Sequence, residues 1–270
     1  MMDPLLFAEL LSLGLCSGFL AGLLGIGGGM LMVPFLTIIL SARGVDAGMA
    51  VKMAIATSMA TIMFTSLSSV RAHHKRGAVR WDLVRGLAPG IVLGGLLAGA
   101  GIFALIKGQA LALVFAAFVG FSATQMLRNK KPAPSRQMPG TAGQLGAGAG
   151  IGLLSGLVGA GGGFVSVPFM TWCNVAMHSA VATSAALGFP IALANTLGYV
   201  LGGWQLQAAL PGALGYLYPP ALAVIASASV LMAPLGARAA HAMNVQQLKR
   251  AFALLLYLLA AYMLYKGLLR

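Results

Sequence analysis

The chain has 270 residues, of which 59% are hydrophobic and only 8% charged, and its mean hydropathy is +0.92. A soluble domain carries about 25% charged residues, so this composition excludes an ordinary water-soluble fold. The formal charge of +13 would suggest a nucleic-acid partner in a soluble protein, but here the basic residues fall between apolar runs, where they read as topology signals and lipid headgroup contacts.

The apolar runs are long enough to cross a bilayer, which takes about 20 residues each. They lack the apolar–polar alternation of a membrane β-barrel. The expected fold is an all-α polytopic membrane protein. Its first element, at 5–40, is broken. Gly14, Gly18 and Gly22 lie along one helix face and permit close helix packing. The string Gly22-Leu23-Leu24-Gly25-Ile26-Gly27-Gly28-Gly29 then interrupts the helix, followed by Val33-Pro34-Phe35. This element has no basic n-region, so it reads as part of the mature protein and not as a signal peptide. Helices near 48–70, 82–106 and 109–128 follow, and the first of them carries Ile55-Ala56-Thr57-Ser58. Proline and charge at 129–140 mark a linker. A second broken element at 141–172 precedes helices near 178–202, 212–238 and 248–267.

The second stretch repeats the first. Gly148, Gly152 and Gly156 answer the first glycine row at an offset of 134. Gly156-Leu157-Val158-Gly159-Ala160-Gly161-Gly162-Gly163 and Val167-Pro168-Phe169 answer the first glycine string and its Val-Pro-Phe. Val181-Ala182-Thr183-Ser184 answers Ile55–Ser58 at an offset of 126. The expected organisation is therefore two tandem homologous halves of four helical units each, the first unit of each half broken at a Gly-rich string: a transmembrane repeat at 1–128, a cytoplasmic linker at 129–140, and a second transmembrane repeat at 141–270. With four crossings per half, eleven basic residues fall on the side of the linker and C-terminus and six on the other, which predicts that linker and C-terminus are both cytoplasmic.

The four acids are Asp3, Glu9, Asp46 and Asp82, all at expected span ends. Cation-coupled carriers usually hold a carboxylate at mid-membrane, and metal permeases need oxygen, imidazole or thiolate ligands. Their lack points to an anionic or neutral substrate. Helix breaks at membrane depth are tolerated where the backbone is buried in protein or lines a cavity, and matched breaks in two halves mark a transporter's binding site. A half-helix starting after Gly29 or Gly163 presents unpaired N–H groups to an anion. The candidate substrate-binding residues are therefore Gly25, Gly27, Gly28 and Gly29 with Gly159, Gly161, Gly162 and Gly163. The bland alternative is that these glycines only permit tight crossing.

Thr57, Ser58, Thr183 and Ser184 add hydroxyl donors, unless each bonds back to its own helix. Lys52 precedes the first hydroxyl pair and His178, at the same offset of 126, precedes the second. Either draws an anion inward, or else Lys52 snorkels and His178 caps a helix. Asn195 is a mid-helix amide that donates to a ligand or to a neighbouring helix. His73-His74 reads as a solvated basic loop. Cys16 and Cys173 have no metal or redox spacing and read as packing residues. Trp81, Trp172 and Trp204 fall near span ends, as interfacial anchors do.

The paired Gly-x-Gly-Gly-Gly-x-x-x-Val-Pro-Phe and the paired Ala-Thr-Ser, with the size and duplication, resemble the TauE/SafE family of membrane transporters, also called sulfite exporters. The resemblance covers nearly the whole chain apart from the linker and tips. The resemblance implies an anion transporter; the family is associated with export of sulfite, sulfoacetate and related small sulfur-containing anions. The expected function is export of such an anion, sulfite or an organosulfonate, with the site between the two broken helices inferred from the residues above. The resemblance also implies no enzyme activity, cofactor or metal, and a place in the bacterial plasma (inner) membrane. The expected partners are the anion, the lipid bilayer and possible further copies of the chain. Two other readings stand beside it: a membrane-embedded lipid-phosphate enzyme and a cation or metal permease.

Overall fold

A computed structural model of the protein describes residues 3–24, 28–128, 136–206, 209–239 and 245–268. Apart from one isolated bridge between Leu214 and Leu217, the regular structure of these residues is helical. The helices are α1 (Pro4–Leu24), α2 (Gly29–Ala42), α3 (Ala47–His74), α4 (Trp81–Leu105), α5 (Gly108–Arg128), α6 (Thr141–Val158), α7 (Gly163–Trp172), α8 (Met177–Gly203), α9 (Pro219–Ala239) and α10 (Val245–Leu268). Eight are long and apolar enough to span a membrane. The two exceptions, α2 and α7, have 14 and 10 residues, about 21 and 15 Å of helix against a hydrocarbon core of about 30 Å.

Two boundaries and one internal turn differ from the sequence expectation for local reasons. α3 runs on to His74, so His73-His74 is its last turn and not a loop. α9 begins at Pro219 instead of 212. Gly212 and Gly215 have φ of +84° and +55°, which turns the chain, and Pro219-Pro220 suit a first helical turn. Within α4, Leu97–Ile102 widens to a π-helical segment; its Gly99 lies where an added Cβ would be 2.7 Å from the Asn195 carbonyl oxygen of α8.

Successive helices alternate in direction. Arg43, just after α2, bonds Glu9 in α1 at 2.8 Å, so α1 and α2 form a hairpin that returns to its starting face. The Arg136 N–H reaches the Trp172 carbonyl at 3.3 Å, which closes α6 and α7 in the same way. Each broken element, expected as one unit with a short second piece, thus supplies two legs that fold back on each other, so each set of helices has five legs. α5 and α10 are antiparallel: Thr124 bonds Tyr257 at 2.7 Å, and a Cβ on Gly267 would lie 3.0 Å from the Gln109 carbonyl oxygen. The linker leaves the far end of α5, about 30 Å from where α10 ends. The C-terminal ends of α5 and α10, expected on one side, therefore lie at opposite faces.

Glycines set the main crossings. A Cβ on Gly90 or Gly94 of α4 would lie 2.0 Å from the carbonyl oxygens of Leu145 or Ala149 in α6, and Gly148 and Gly152 return the contact against Leu87 and Ile91. Gly14 and Gly18 pack α1 on α9 at Ile225 and Ser229 in the same manner. The first helix of each set of five therefore lies on the fourth helix of the other. α3 and α8 are the most buried spans and pack on each other between these pairs.

Two threonines tie the sets together. Thr57 Oγ1 of α3 accepts the Tyr218 N–H just before α9, at 3.1 Å. Thr183 Oγ1 of α8 accepts the Arg80 N–H just before α4, at 3.0 Å. Each hydroxyl caps a helix N-terminus, whose first N–H groups lack intrahelical partners. Thr57→Val or Thr183→Val keeps the shape and strands a backbone donor, which should cost about 1–3 kcal/mol. Thermal unfolding in detergent checks this: a clear drop for both valine variants, with serine replacements near wild type, is expected.

Candidate functional site

The glycine strings place two helix N-termini inside the bundle. Gly28, with φ of +50°, leads into α2, and Gly162, with φ of +75°, leads into α7. Gly159, with φ of +71°, ends α6, where its own N–H and that of Ala160 bond the Ser155 carbonyl at 2.8 and 3.3 Å. Side chains other than glycine pay a steric cost in this left-handed region. Gly25 and Gly27 lie outside the described residues.

The two breaks meet. A Cβ on Gly29 would lie 2.7 Å from the Gly159 carbonyl oxygen and 2.8 Å from Cδ1 of Ile62, and the same Ile62 side chain lies 3.1 Å from the corresponding point on Gly161. Gly28, Gly29 and Met30 are buried, whereas Gly161, Gly163 and Phe164 are partly exposed. In α7 the N–H groups of Val165 and Ser166 fold back onto the Gly162 carbonyl at 3.0 and 2.8 Å. Gly163 and Phe164, the first two residues of the helix, have no carbonyl within it to donate to.

The hydroxyls around these breaks differ in what they are free to do. Ser58 donates to the Gly159 carbonyl at 3.3 Å and so bridges α3 to the second break. Thr57 and Thr183 are the caps described above. Ser184 accepts from Ser166 at 2.8 Å and lies 3.5 Å from the Cβ position of Gly163, at the α7 N-terminus. Ser155 is 2% exposed, its Oγ has no hydrogen-bond partner among the described residues, and it lies 3.3 Å from the Cβ position of Gly162. Ser155 and Ser166 are absent from the sequence-derived candidates: each is a lone serine in an apolar helix, with Ala21 and Met32 at the matched positions and no motif to mark it.

Three other candidates sit apart from the breaks. Lys52 Nζ donates to the Ala104 carbonyl at 3.0 Å, at the C-terminal end of α4, and lies 5.8 and 5.2 Å from the ring centroids of Phe103 and Tyr216. A cation there complements the negative end of the helix dipole. His178 is exposed at the second position of α8. Asn195 Nδ2 donates to the carbonyls of Ile191 at 2.8 Å and of Gly152 in α6 at 3.3 Å, and Tyr199 bonds the Gly156 carbonyl beside it.

The four carboxylates stay at helix ends. Glu9 and Asp3 face Arg43, Asp46 caps α3 through the N–H groups of Gly48 and Met49, and Asp82 pairs with Arg80. Among the described residues no three His, Cys, Asp or Glu side chains gather as metal ligands. Around the breaks the chain offers backbone N–H groups and hydroxyls and no carboxylate, a set suited to a hydrogen-bond-accepting anion.

The profile of the sulfite exporter TauE/SafE family matches residues 10–263. A probable membrane transporter protein of Haemophilus influenzae is 35% identical over 258 residues, covering 95% of this chain and 97% of its own length. A probable membrane transporter protein of Methanocaldococcus jannaschii is 29% identical, covering 82% and 86%, and one of Bacillus subtilis, YunE, is 30% identical, covering 77% and 84%. No solved structure matches. Ten alternating helices with two breaks meeting inside the bundle, and a profile match over nearly the whole length, place this chain in the TauE/SafE family of membrane transporters.

Proposed function

We propose that this membrane transporter exports a small sulfur-containing oxyanion, sulfite or an organosulfonate, through a site where the two broken elements meet. The observation that carries this reading is the α7 N-terminus, with its unpaired N–H groups beside Ser184. The family description names sulfite, and the lack of a carboxylate near the breaks favours an anion over a cation. The same lack leaves a lipid-phosphate enzyme without an acid–base group.

The matched contacts of α1 with α9 and of α6 with α4 support two repeats of opposite orientation, about 1–128 and 141–270, that rock about the central α3–α8 pair. Arg71, Lys75, Arg76, Arg80, Arg85, Arg128, Arg136 and Arg250 lie on the linker face, against Arg43, Lys52, Lys107 and Lys266 on the other. The positive-inside rule then makes the linker face cytoplasmic and puts the start of α1 and the end of α10 on the far side. This replaces the expectation of a cytoplasmic C-terminus, which rested on four crossings per half.

An inside-negative membrane expels an anion with about 2.3 kcal/mol per charge per 100 mV. Efflux then needs no coupling carboxylate. In proteoliposomes loaded with sulfite, imposing an inside-negative potential should speed exit, and exit indifferent to potential would count against an electrogenic exporter. For orientation, Arg136→Cys and Leu268→Cys are placed in a chain with Cys16 and Cys173 replaced by alanine. Membrane-impermeant maleimide on intact cells should label the second and spare the first; the reverse pattern would invert the topology.

A further inference from the structure

The two glycine strings match in sequence but not in surroundings. At the offset of 134 that aligns Gly29 with Gly163, Ser155 falls on Ala21 and Ser166 on Met32. The geometry keeps this register. A Cβ on Gly28 would lie 3.4 Å from the Ala21 methyl and 3.3 Å from Cε of Met32, and a Cβ on Gly162 would lie 3.3 Å from the Ser155 hydroxyl. The atom nearest each Cβ position is another, the Ser17 carbonyl oxygen at 3.1 Å from Gly28 and Cδ1 of Ile191 at 2.3 Å from Gly162, but at the matched positions 21 and 155 one break has a methyl and the other an alcohol.

The first N-terminus is also crowded and buried. The Gly159 carbonyl oxygen and Ile62 press on Gly29, and the Ser58 hydroxyl is committed to that carbonyl. Gly28, Gly29 and Met30 are buried. Around the second N-terminus, Gly161 and Gly163 are partly exposed, Ser184 accepts from Ser166 and so keeps its own proton to donate, and Ser155 has no partner. A buried hydroxyl without a partner is costly, and it is explained where a ligand completes it.

Resting on the sulfur-anion reading above, we infer that the oxyanion site is one-sided: Ser155, Ser184 and the first N–H groups of α7 bind a singly charged oxyanion of the sulfonate or hydrogensulfite type, while the α2 N-terminus is a packing element. The charge follows from the donor set. Lys52 is engaged at the end of α4 and His178 is exposed at the start of α8, and neither side chain is among the atoms placed at Gly162 and Gly163. A helix N-terminus supplies about half a positive charge. Together with two neutral hydroxyls this balances one negative charge far better than two, and a dianion would enter with its second charge desolvated and unmatched.

Methanesulfonate and sulfate separate the two charges at nearly constant shape. Binding of each, and of sulfite, is measured by titration calorimetry on the detergent-purified full chain. Variants are Ser155→Ala, Ser184→Ala and, as a control for the loss of a buried hydroxyl, Thr37→Val, whose hydroxyl bonds its own helix at the Val33 carbonyl, 2.8 Å away. Ser155→Ala installs the residue that the first string already carries, and Ser155→Cys serves if it does not fold. The expected result is methanesulfonate binding at least about tenfold tighter than sulfate, weakened about tenfold or more by Ser155→Ala and Ser184→Ala, as for hydrogen bonds to a charged group, and unchanged by Thr37→Val. Wild-type affinity in Ser155→Ala, or sulfate binding tighter than methanesulfonate, overturns the one-sided site and leaves the sulfur-anion reading standing. A wild-type chain that binds none of the three overturns both.

Discussion

A helix that stops inside a bilayer leaves N–H groups with no water to satisfy them, and the architecture of this protein follows from that constraint. α2 and α7 are too short to cross and begin in mid-bundle at glycines that hold the chain in the left-handed region. Such ends are tolerated only inside a shell of other helices. The shell is drawn tight by glycine crossings of α4 with α6 and α1 with α9, which bring backbones into contact where any side chain would intrude. The two most buried spans, α3 and α8, run beside the breaks and cap the helices of the opposite set through Thr57 and Thr183.

Much of this was legible in the amino-acid sequence because it is written in glycine and proline. The breaks at the two glycine strings and the long spans all come from residues with strong backbone consequences. The number of legs was not legible. A glycine string followed by 14 or 10 apolar residues reads equally as a bent crossing or as a return hairpin, and only the Arg43–Glu9 and Arg136–Trp172 contacts decide it. The difference matters for function, since the return legs place the C-terminal ends of α5 and α10 on opposite faces.

The polar residues near the breaks were legible as a set but not in their roles. Sequence symmetry treats Thr57 and Thr183 like Ser58 and Ser184, although the threonines serve neighbouring backbones and Ser58 a carbonyl. Lys52 precedes the hydroxyls in sequence, but its long chain turns to the end of α4. Ser155 is a lone serine with no motif to mark it, and its counterpart is Ala21. Residues matched between the two glycine strings read as what both breaks need for folding, and an unmatched polar residue beside a matched break marks where the two surroundings diverge.

The central claim is that an anion binds where the two broken elements meet, and a thermal-shift panel on the purified protein tests it most directly. A ligand that binds only the folded state raises its apparent stability by mass action. The account predicts stabilisation by sulfite or sulfonates, at concentrations where chloride and divalent metal ions have no effect. Stabilisation by divalent metal ions and by none of the oxyanions would contradict it.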